Sequence, residues 1–216
     1  MIPPEIINIA AIILALMVAI IGHEIMHGRV AYHFGDETAA SMGRLSINPI
    51  VHIDLIGTIA VPALLYFSNA GFLFGWAKPV PINIRTVVNN GGYNGAIAVS
   101  LAGITYNFTL AILAVIALKF IPPVSSEATY FLKAFLTYTL IYNIVLGIFN
   151  LFPIPPLDGS QALGFMMRKK GYHEGASFLD STGKYGMIIL IIMIASPLST
   201  YVFAPMRYII EFAFSL

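Results

Sequence analysis

Two histidines and a glutamate with the spacing of a zinc-hydrolase motif lie at the end of the first apolar stretch. The motif, His-Glu-Ile-Met-His at positions 23–27, follows the uncharged residues 6–22. Positions four apart share one face of an α-helix, so His23 and His27 can bind one metal ion while Glu24 stands beside them as a base. The alternative is that these three are ordinary polar residues at the end of a helix and bind no metal. We favour a metal site, because an ionised residue at the centre of a membrane helix costs roughly 2.5 to 3.5 kcal/mol and is normally retained for function.

A carboxylate in a proline-rich segment is the candidate third ligand. Residues 150–159 read Asn-Leu-Phe-Pro-Ile-Pro-Pro-Leu-Asp-Gly. Each proline removes a backbone donor and leaves carbonyls that lipid cannot satisfy, so this segment must line protein or water. Catalytic zinc commonly takes three protein ligands and keeps a fourth position for water, which makes Asp158 the expected third ligand. The alternative is that Asp158 caps a helix over residues 160–167.

The composition indicates a multi-pass membrane protein. The 216 residues are 58% hydrophobic and 10% charged, against about 25% charged in soluble domains, and the mean hydropathy is +0.86. A net charge of +1 gives no reason to expect a nucleic-acid partner. The chain contains no cysteine, so any metal must be held by histidine and carboxylate. The first apolar run carries the motif and no basic leader precedes it, so we expect a structural helix and not a cleaved signal peptide.

The apolar pattern predicts an all-α fold in which residues 1–216 form a single membrane-embedded domain. Residues 53–67 are apolar but short, contain Gly57 and Pro62, and are followed by a second short piece at 72–76, which favours a re-entrant segment over a span. Small β elements after the first helix are compatible with this plan. The last span is interrupted by Pro197. The four predicted spans cover residues 6–27, 96–118, 131–151 and 185–203.

Taken together, these motifs resemble the site-2 protease family of intramembrane zinc metalloproteases. Besides residues 23–27 and 150–159, the segment Leu-Ala-Gly-Ile-Thr-Tyr-Asn at 101–107 is similar to the family's Gly-x-x-x-Asn motif. Residues 43–49 and 75–81 are similar to a compact prokaryotic branch. One departure is Ile104, which stands where the family usually has proline. No inserted PDZ or CBS-type domain is evident, so the chain looks like a minimal member.

The resemblance implies both a reaction and a set of roles. One Zn²⁺ per chain would be bound by His23, His27 and Asp158, with Glu24 as catalytic base and Asn150 beside the substrate carbonyl. The implied activity is hydrolysis of a peptide bond in or near a transmembrane segment of a membrane protein substrate. The implied partners are that substrate and the lipid bilayer, while the oligomeric state stays open.

Several further polar residues have two interpretations each. Asn107 and Asn143 could bind substrate, or could form hydrogen bonds between helices without a catalytic part. His52 and Asp54 are a second histidine and carboxylate pair, for which we favour a structural pair or cap over a direct zinc role. Asp36 is interpreted as an ordinary charge at headgroup level.

Topology decides how the two motifs meet. A crossing by residues 53–67 would separate His27 from Asp158 by a core about 30 Å thick, whereas a re-entrant segment brings them to one face. Basic residues support the second arrangement, with eight on the motif face and Lys119, Lys133 and Arg207 opposite. This bias predicts a zinc site toward the cytoplasm and an outside N-terminus, and the resemblance to a prokaryotic branch implies a prokaryotic cell membrane. The eight residues are Arg29, Arg44, Lys78, Arg85, Arg168, Lys169, Lys170 and Lys184.

Two other functions are compatible with intramembrane histidine and aspartate. A metal-ion transporter would use them as an ion pathway, and an inactive scaffold would only hold transmembrane segments. Transport would more naturally repeat such residues along several spans, whereas hydrolysis needs the base Glu24 beside the paired histidines. The sequence therefore favours the protease.

Overall fold

The computed structural model of the chain describes residues 2–68 and 75–215 and confirms an all-α fold. Within these two ranges there is no β-strand, so the small β elements considered after the first helix are not found there. Short helices and a segment without regular secondary structure take their place. The eight α-helices are α1 (Pro4–His33), α2 (Thr38–Ser41), α3 (Val61–Phe67), α4 (Ile84–Phe120), α5 (Glu127–Asn150), α6 (Asp158–Lys169), α7 (His173–Ala195) and α8 (Leu198–Ser215).

Among the described residues, four helices are long and apolar enough to cross a membrane, as the sequence predicted. They are α1, α4, α5 and α7. The first begins with Pro4 in its first turn, where the missing N–H costs nothing, and continues through both histidines of the motif. The two histidines therefore do lie one helical turn apart.

The second span begins earlier than the sequence predicted. Residues 84–95, expected to be polar connector, are already helical, and the side chain of Asn83 caps them by accepting from the Thr86 amide. Gly92 interrupts the helix with φ of +60° and ψ of −163°, a conformation that a residue with a Cβ rarely adopts. The helix therefore changes direction at Gly92 before it enters the apolar stretch.

The predicted fourth span, residues 185–203, is wrong in its bounds. Two separate helices cover this region, because α7 starts at His173 and ends at Ala195, and α8 starts at Leu198. Ser196 is extended, with φ of −95° and ψ of 164°. A residue that precedes proline is disfavoured in the α region, so Pro197 ends the helix rather than merely interrupting a span.

The core of the bundle lies among α1, α4 and α5. Alanines at positions 11, 15 and 19 form a fully buried stripe on α1, and small side chains at this spacing let helix backbones approach closely. On the other side of the core, Leu140 and Ile144 of α5 pack against Ala111 and Ala114 of α4. Tight packing of these three helices holds the residues they carry in a defined geometry.

Short elements connect α1 to α4. A 3₁₀ turn at Pro49–His52 and a π-helical turn at Leu55–Ala60 precede α3. Further on, residues 76–82, called the strap below, lead to α4 without forming helix or strand. The strap is attached to the short elements, since the amides of Trp76 and Lys78 donate to the carbonyls of Gly57 and His52 at 3.1 and 2.9 Å.

Candidate metal centre

The structure brings three of the predicted site residues together. Nε2 of His23 and Nε2 of His27 lie 3.1 Å apart. Oδ2 of Asp158 lies 3.1 Å from the first nitrogen and 3.2 Å from the second. All three are buried, with the histidines 8% and 7% exposed and the aspartate side chain 13% exposed. Among the histidines and carboxylates of the described residues, these three have ligand atoms close enough together to share one metal ion.

The spacing of these atoms fits a tetrahedral zinc site. Zinc binds imidazole nitrogen and carboxylate oxygen at about 2.0 to 2.2 Å, so two ligands of one tetrahedral ion lie roughly 3.3 Å apart. The three observed separations of 3.1, 3.1 and 3.2 Å are close to that edge length. The cluster thus forms one triangular face of a tetrahedron, whose fourth corner is available to water or substrate.

Hydrogen bonds on the far side of each imidazole decide which nitrogen faces the centre. Nδ1 of His27 lies 2.7 Å from the carbonyl oxygen of Val99, which can only accept, so this nitrogen carries the proton. Nδ1 of His23 lies 2.7 Å from Oδ1 of Asn107. Both Nε2 atoms therefore present lone pairs to the centre.

Three acceptors thus meet at one buried point with no donor between them. Oδ2 of Asp158 has no hydrogen-bond partner in the described structure although two imidazole nitrogens are close to it. A cation is what such a set of lone pairs requires, and the residues fit Zn²⁺.

A chain of amide side chains fixes His23. Nδ2 of Asn107 donates to the carbonyl of Ala19 at 3.2 Å and to Oδ1 of Asn143 at 2.7 Å, which leaves Oδ1 of Asn107 for the histidine. Asn143 in turn donates to the carbonyl of Thr139 at 2.8 Å. Both asparagines are fully buried. They link three helices and orient a ligand, so their positions agree with the interhelical alternative.

Gly103 provides the space in which the histidines sit. A Cβ at this position would lie 2.5 Å from Cε1 and Nδ1 of His23 and 2.5 Å from Nε2 of His27. Gly103 and Asn107 are four residues apart on α4, so the Gly-x-x-x-Asn spacing places both on the face toward the imidazoles. The substitution at Ile104 leaves this geometry intact.

The proline-rich segment reaches the centre because α7 holds it. A Cβ at Gly186 of α7 would overlap the carbonyl of Pro155, so helix and loop meet backbone to backbone. Leu157 packs against Leu190 and Met193 of the same helix. Asp158 is the first residue of α6, and the residue at the cap position is Leu157. The side chain of Asp158 lies in the cluster and does not cap the helix.

Glu24 lies beside the cluster and faces the strap. Its Oε2 accepts a hydrogen bond of 2.9 Å from the backbone amide of Val80. The side chain is half-buried, in contrast to the neighbouring histidines. Glu24 is therefore not one of the three clustered ligand groups, as the sequence analysis expected.

The remaining predicted residues lie outside the cluster. Asn150 ends α5 and donates to the carbonyl of Leu146 in its own helix at 3.0 Å. Nε2 of His52 lies 2.8 Å from the carbonyl of Ser46, and Asp54 caps the π-helical turn by accepting from the amides of residues 56 and 57. The structural interpretation of His52 and Asp54 agrees with these contacts, although they do not pair with each other.

Two contacts around the site were missed by sequence reasoning. The carbonyl of Val99 orients His27, and no side-chain pattern signals a backbone acceptor. Asp36 is buried and is therefore not an ordinary exposed charge; it accepts from the amide of Asn83 at 2.6 Å, which ties the turn after α1 to the residue that follows the strap. Asp36 also accepts from the hydroxyl of Thr38, and the Asp-x-Thr spacing is the signal that could have indicated this turn.

Comparison with known proteins agrees with this geometry. Residues 121–194 match the model of peptidase family M50. The chain is 35% identical over 199 residues to YwhC of Bacillus subtilis, covering 90% of this chain and 84% of that protein. It is 27% identical over 186 residues to Rip2 of Mycobacterium tuberculosis, covering 86% of this chain and 67% of that protein. Both relatives are provisionally named zinc metalloproteases, and no solved structure shows a significant match.

The chain is a zinc metalloprotease of the membrane. Three findings define this class: the apolar helices, the centre of two histidines and one carboxylate, and the relatives just described. More specifically, the chain belongs to peptidase family M50, the site-2 protease family. The resemblance inferred from the motifs is thereby confirmed, and with it the zinc cofactor and the enzyme class. A metal-ion transporter and an inactive scaffold are not supported by these relatives.

Proposed function

We propose that this enzyme hydrolyses a peptide bond in or near a transmembrane segment of another membrane protein. The observation that carries the proposal is the position of the cluster. Two of its three groups belong to a helix long enough to cross a membrane, and the third reaches them from the proline-rich segment after another such helix. A peptide bond brought to this point would lie at membrane depth, which favours membrane proteins as substrates.

We assign each site residue a role in this reaction. His23, His27 and Asp158 bind the zinc through Nε2, Nε2 and Oδ2. When bound, zinc lowers the pKa of a water molecule toward about 7 and polarises the scissile carbonyl. Glu24 accepts the proton of the attacking water and returns it to the leaving amine, so water and one peptide bond yield a carboxylate and an amine.

The substrate must change shape before it can react. A peptide bond in a membrane helix is hydrogen-bonded and shielded, so the substrate has to unwind locally and water has to reach the site. Asn150 is assigned to the extended substrate strand or the scissile carbonyl, because its amide group sits at the end of α5, just before the segment that carries Asp158. Its amide would have to turn from Leu146 toward the substrate.

The proposed orientation places the site toward the cytoplasm of a prokaryotic cell. The eight basic residues of the motif face support it through the positive-inside rule. Contacts in the structure are consistent with a common face, since Lys169 of α6 donates to Asn94 of α4 at 2.7 Å. Regulated intramembrane proteolysis is the biological role that this arrangement suits.

Glu24→Gln tests the proposal. The probe is a single-span reporter in liposomes with a tag at each end and an Asn-Pro pair in its transmembrane segment, which unwinds the helix locally. The wild-type enzyme should cleave it, whereas Glu24→Gln should retain about one zinc per chain and lose cleavage, because the base is absent but the ligands remain. Near-normal cleavage by this variant would move the base role elsewhere, and an uncleaved reporter with wild type would contradict the substrate class.

A further inference from the structure

The strap makes one direct contact with the catalytic machinery. Residues 79–81 read Pro-Val-Pro, so the amide of Val80 is the single backbone donor in this part of the strap. That donor goes to Oε2 of Glu24 at 2.9 Å. A carboxylate with one oxygen held by an amide has a restricted orientation, and its other oxygen is left to exchange protons.

Val80 is also seated on α1 by its side chain. It is 6% exposed, and a Cβ on Gly28 would lie 2.9 Å from its Cγ1 and 2.6 Å from Leu45. Glu24 and Gly28 are four residues apart and share one face of α1. The same residue of the strap therefore contacts two successive turns of that face, with its amide on Glu24 and its side chain over Gly28.

Arg44 holds the strap in this position through hydrogen bonds to its backbone carbonyls. Its Nη2 donates to the carbonyl of Lys78 at 2.8 Å and to that of Pro79 at 3.2 Å, directly before Val80. The guanidinium belongs to a side chain only 6% exposed, and Nε has no acceptor among the described residues. No acidic side chain in residues 2–68 and 75–215 forms an ion pair with it. A buried cation without a carboxylate depends on these carbonyls, so the contact resists release of the strap.

We propose that Arg44 is a positioning residue for Glu24, acting through the strap. It binds the carbonyls of Lys78 and Pro79, and this fixes the amide of Val80 against the carboxylate that exchanges protons with water and the leaving amine. The inference rests on the proposed function, in which Glu24 is the base. Its effect belongs in the chemical step, because Arg44 contacts neither the metal ligands nor any group assigned to substrate binding.

Kinetics of Arg44 variants with the liposome reporter test the role. Arg44→Ala should lower kcat about 10- to 100-fold, the cost of misplacing a catalytic group by roughly 1 Å, with KM and zinc content nearly unchanged. Arg44→Lys should recover most of the rate, because one ammonium can replace the one nitrogen that contacts the strap. Arg29→Ala is the matched control, since Arg29 is an exposed arginine near the C-terminal end of α1. It should behave as wild type.

Two kinetic results would overturn the proposal. One is a kcat for Arg44→Ala that equals that of Arg29→Ala. The other is a loss of activity in folded Arg44→Ala that parallels a loss of zinc, which would place the effect of Arg44 on the metal site and not on Glu24. Failure of the proposed function gives a different result: Glu24→Gln would cleave the reporter, or the wild type would leave it uncleaved, while thiol labelling at position 80 would still depend on Arg44.

Thiol labelling reports on the strap without any activity measurement. The chain has no cysteine, so Val80→Cys introduces a single thiol that keeps the amide and is buried in the native structure. Its modification rate should rise at least about tenfold in the Arg44→Ala background and stay unchanged with Arg29→Ala. Equal protection in all three backgrounds would overturn the proposal.

Should Arg44→Ala fail to fold, a pair of proline substitutions decides. Val80→Pro removes the donor to Glu24, whereas Ala77→Pro removes an amide of the same strap that has no acceptor in the described structure. The proposal requires a much lower kcat in the first and a kcat within about threefold of wild type in the second. Equal rates in the two variants would contradict it.

Discussion

Nδ1 of His23 on α1 donates a hydrogen bond of 2.7 Å to Oδ1 of Asn107 on α4. This contact joins two membrane helices at the metal centre and directs the other imidazole nitrogen to the site. Because Asn107 also donates to Ala19 and Asn143, its amide cannot turn over without breaking two further hydrogen bonds. The orientation of the ligand is thus built into the packing of the bundle.

Asn107→Ala should weaken zinc binding about 10- to 100-fold, the usual effect of removing a partner that orients a metal ligand. Competition with a chromophoric chelator measures the affinity. Thr109→Val is the control, because Thr109 is exposed on the same helix and its hydroxyl bonds only to its own helix. An unchanged zinc affinity in Asn107→Ala would show that packing alone orients His23.

Gly103→Ala should disrupt the metal centre although it adds only one methyl group. The added methyl group would lie 2.5 Å from both imidazoles, so at least one ligand must move. We expect zinc content to fall well below one per chain in metal analysis of the purified variant. In Gly183→Ala of α7 the new methyl group meets only Pro155 at 3.9 Å, so this control should keep its zinc. Full zinc occupancy in Gly103→Ala would refute the close packing.

Removal of the metal should destabilise the protein. The three acceptors of the cluster have no donor between them, so a chelator leaves buried lone pairs uncompensated. A ligand at a thousandfold excess over its Kd stabilises the native state by about 4 kcal/mol, so zinc should restore a higher Tm in a thermal unfolding assay. The double variant His23→Ala, His27→Ala should show no response. Retention of stoichiometric zinc by that variant would contradict the ligand assignment.

Ser41 and Asn89 should lie on the same side of the membrane. Both are exposed, and they flank the short elements between α1 and α4. The ends of these helices are adjacent, since Asn90 donates to the carbonyl of Phe34 at 2.8 Å. Single cysteines at both positions should react with an impermeant reagent from the cytoplasm.

A cysteine at the exposed Ser126, before α5, is the control for the opposite side and should react only from outside. Labelling of Ser41 and Asn89 from opposite sides would mean that residues 53–67 cross the membrane. The two halves of the metal site could then not share one face.

Local patterns were sufficient to predict the fold class and the three side chains that cluster at the candidate metal centre. Positions 23 and 27 fall on one helix face whatever the rest of the chain does, because helix periodicity is a property of the backbone. Three prolines before Asp158 exclude a lipid-facing segment for the same local reason. The number of apolar helices follows from composition and length, which bilayer thickness constrains directly.

Contacts between distant parts of the chain were decided only by the tertiary structure. The bond from Val80 to Glu24 joins residues 56 positions apart, and the carbonyl of Val99 that orients His27 is 72 positions away. Any residue has an amide and a carbonyl, so no residue type marks these partners. The end of α7 shows the same limit, because hydropathy continues through Pro197 although the helix does not. Sequence thus predicted which side chains form the candidate site, and packing decided which backbone groups hold them in place.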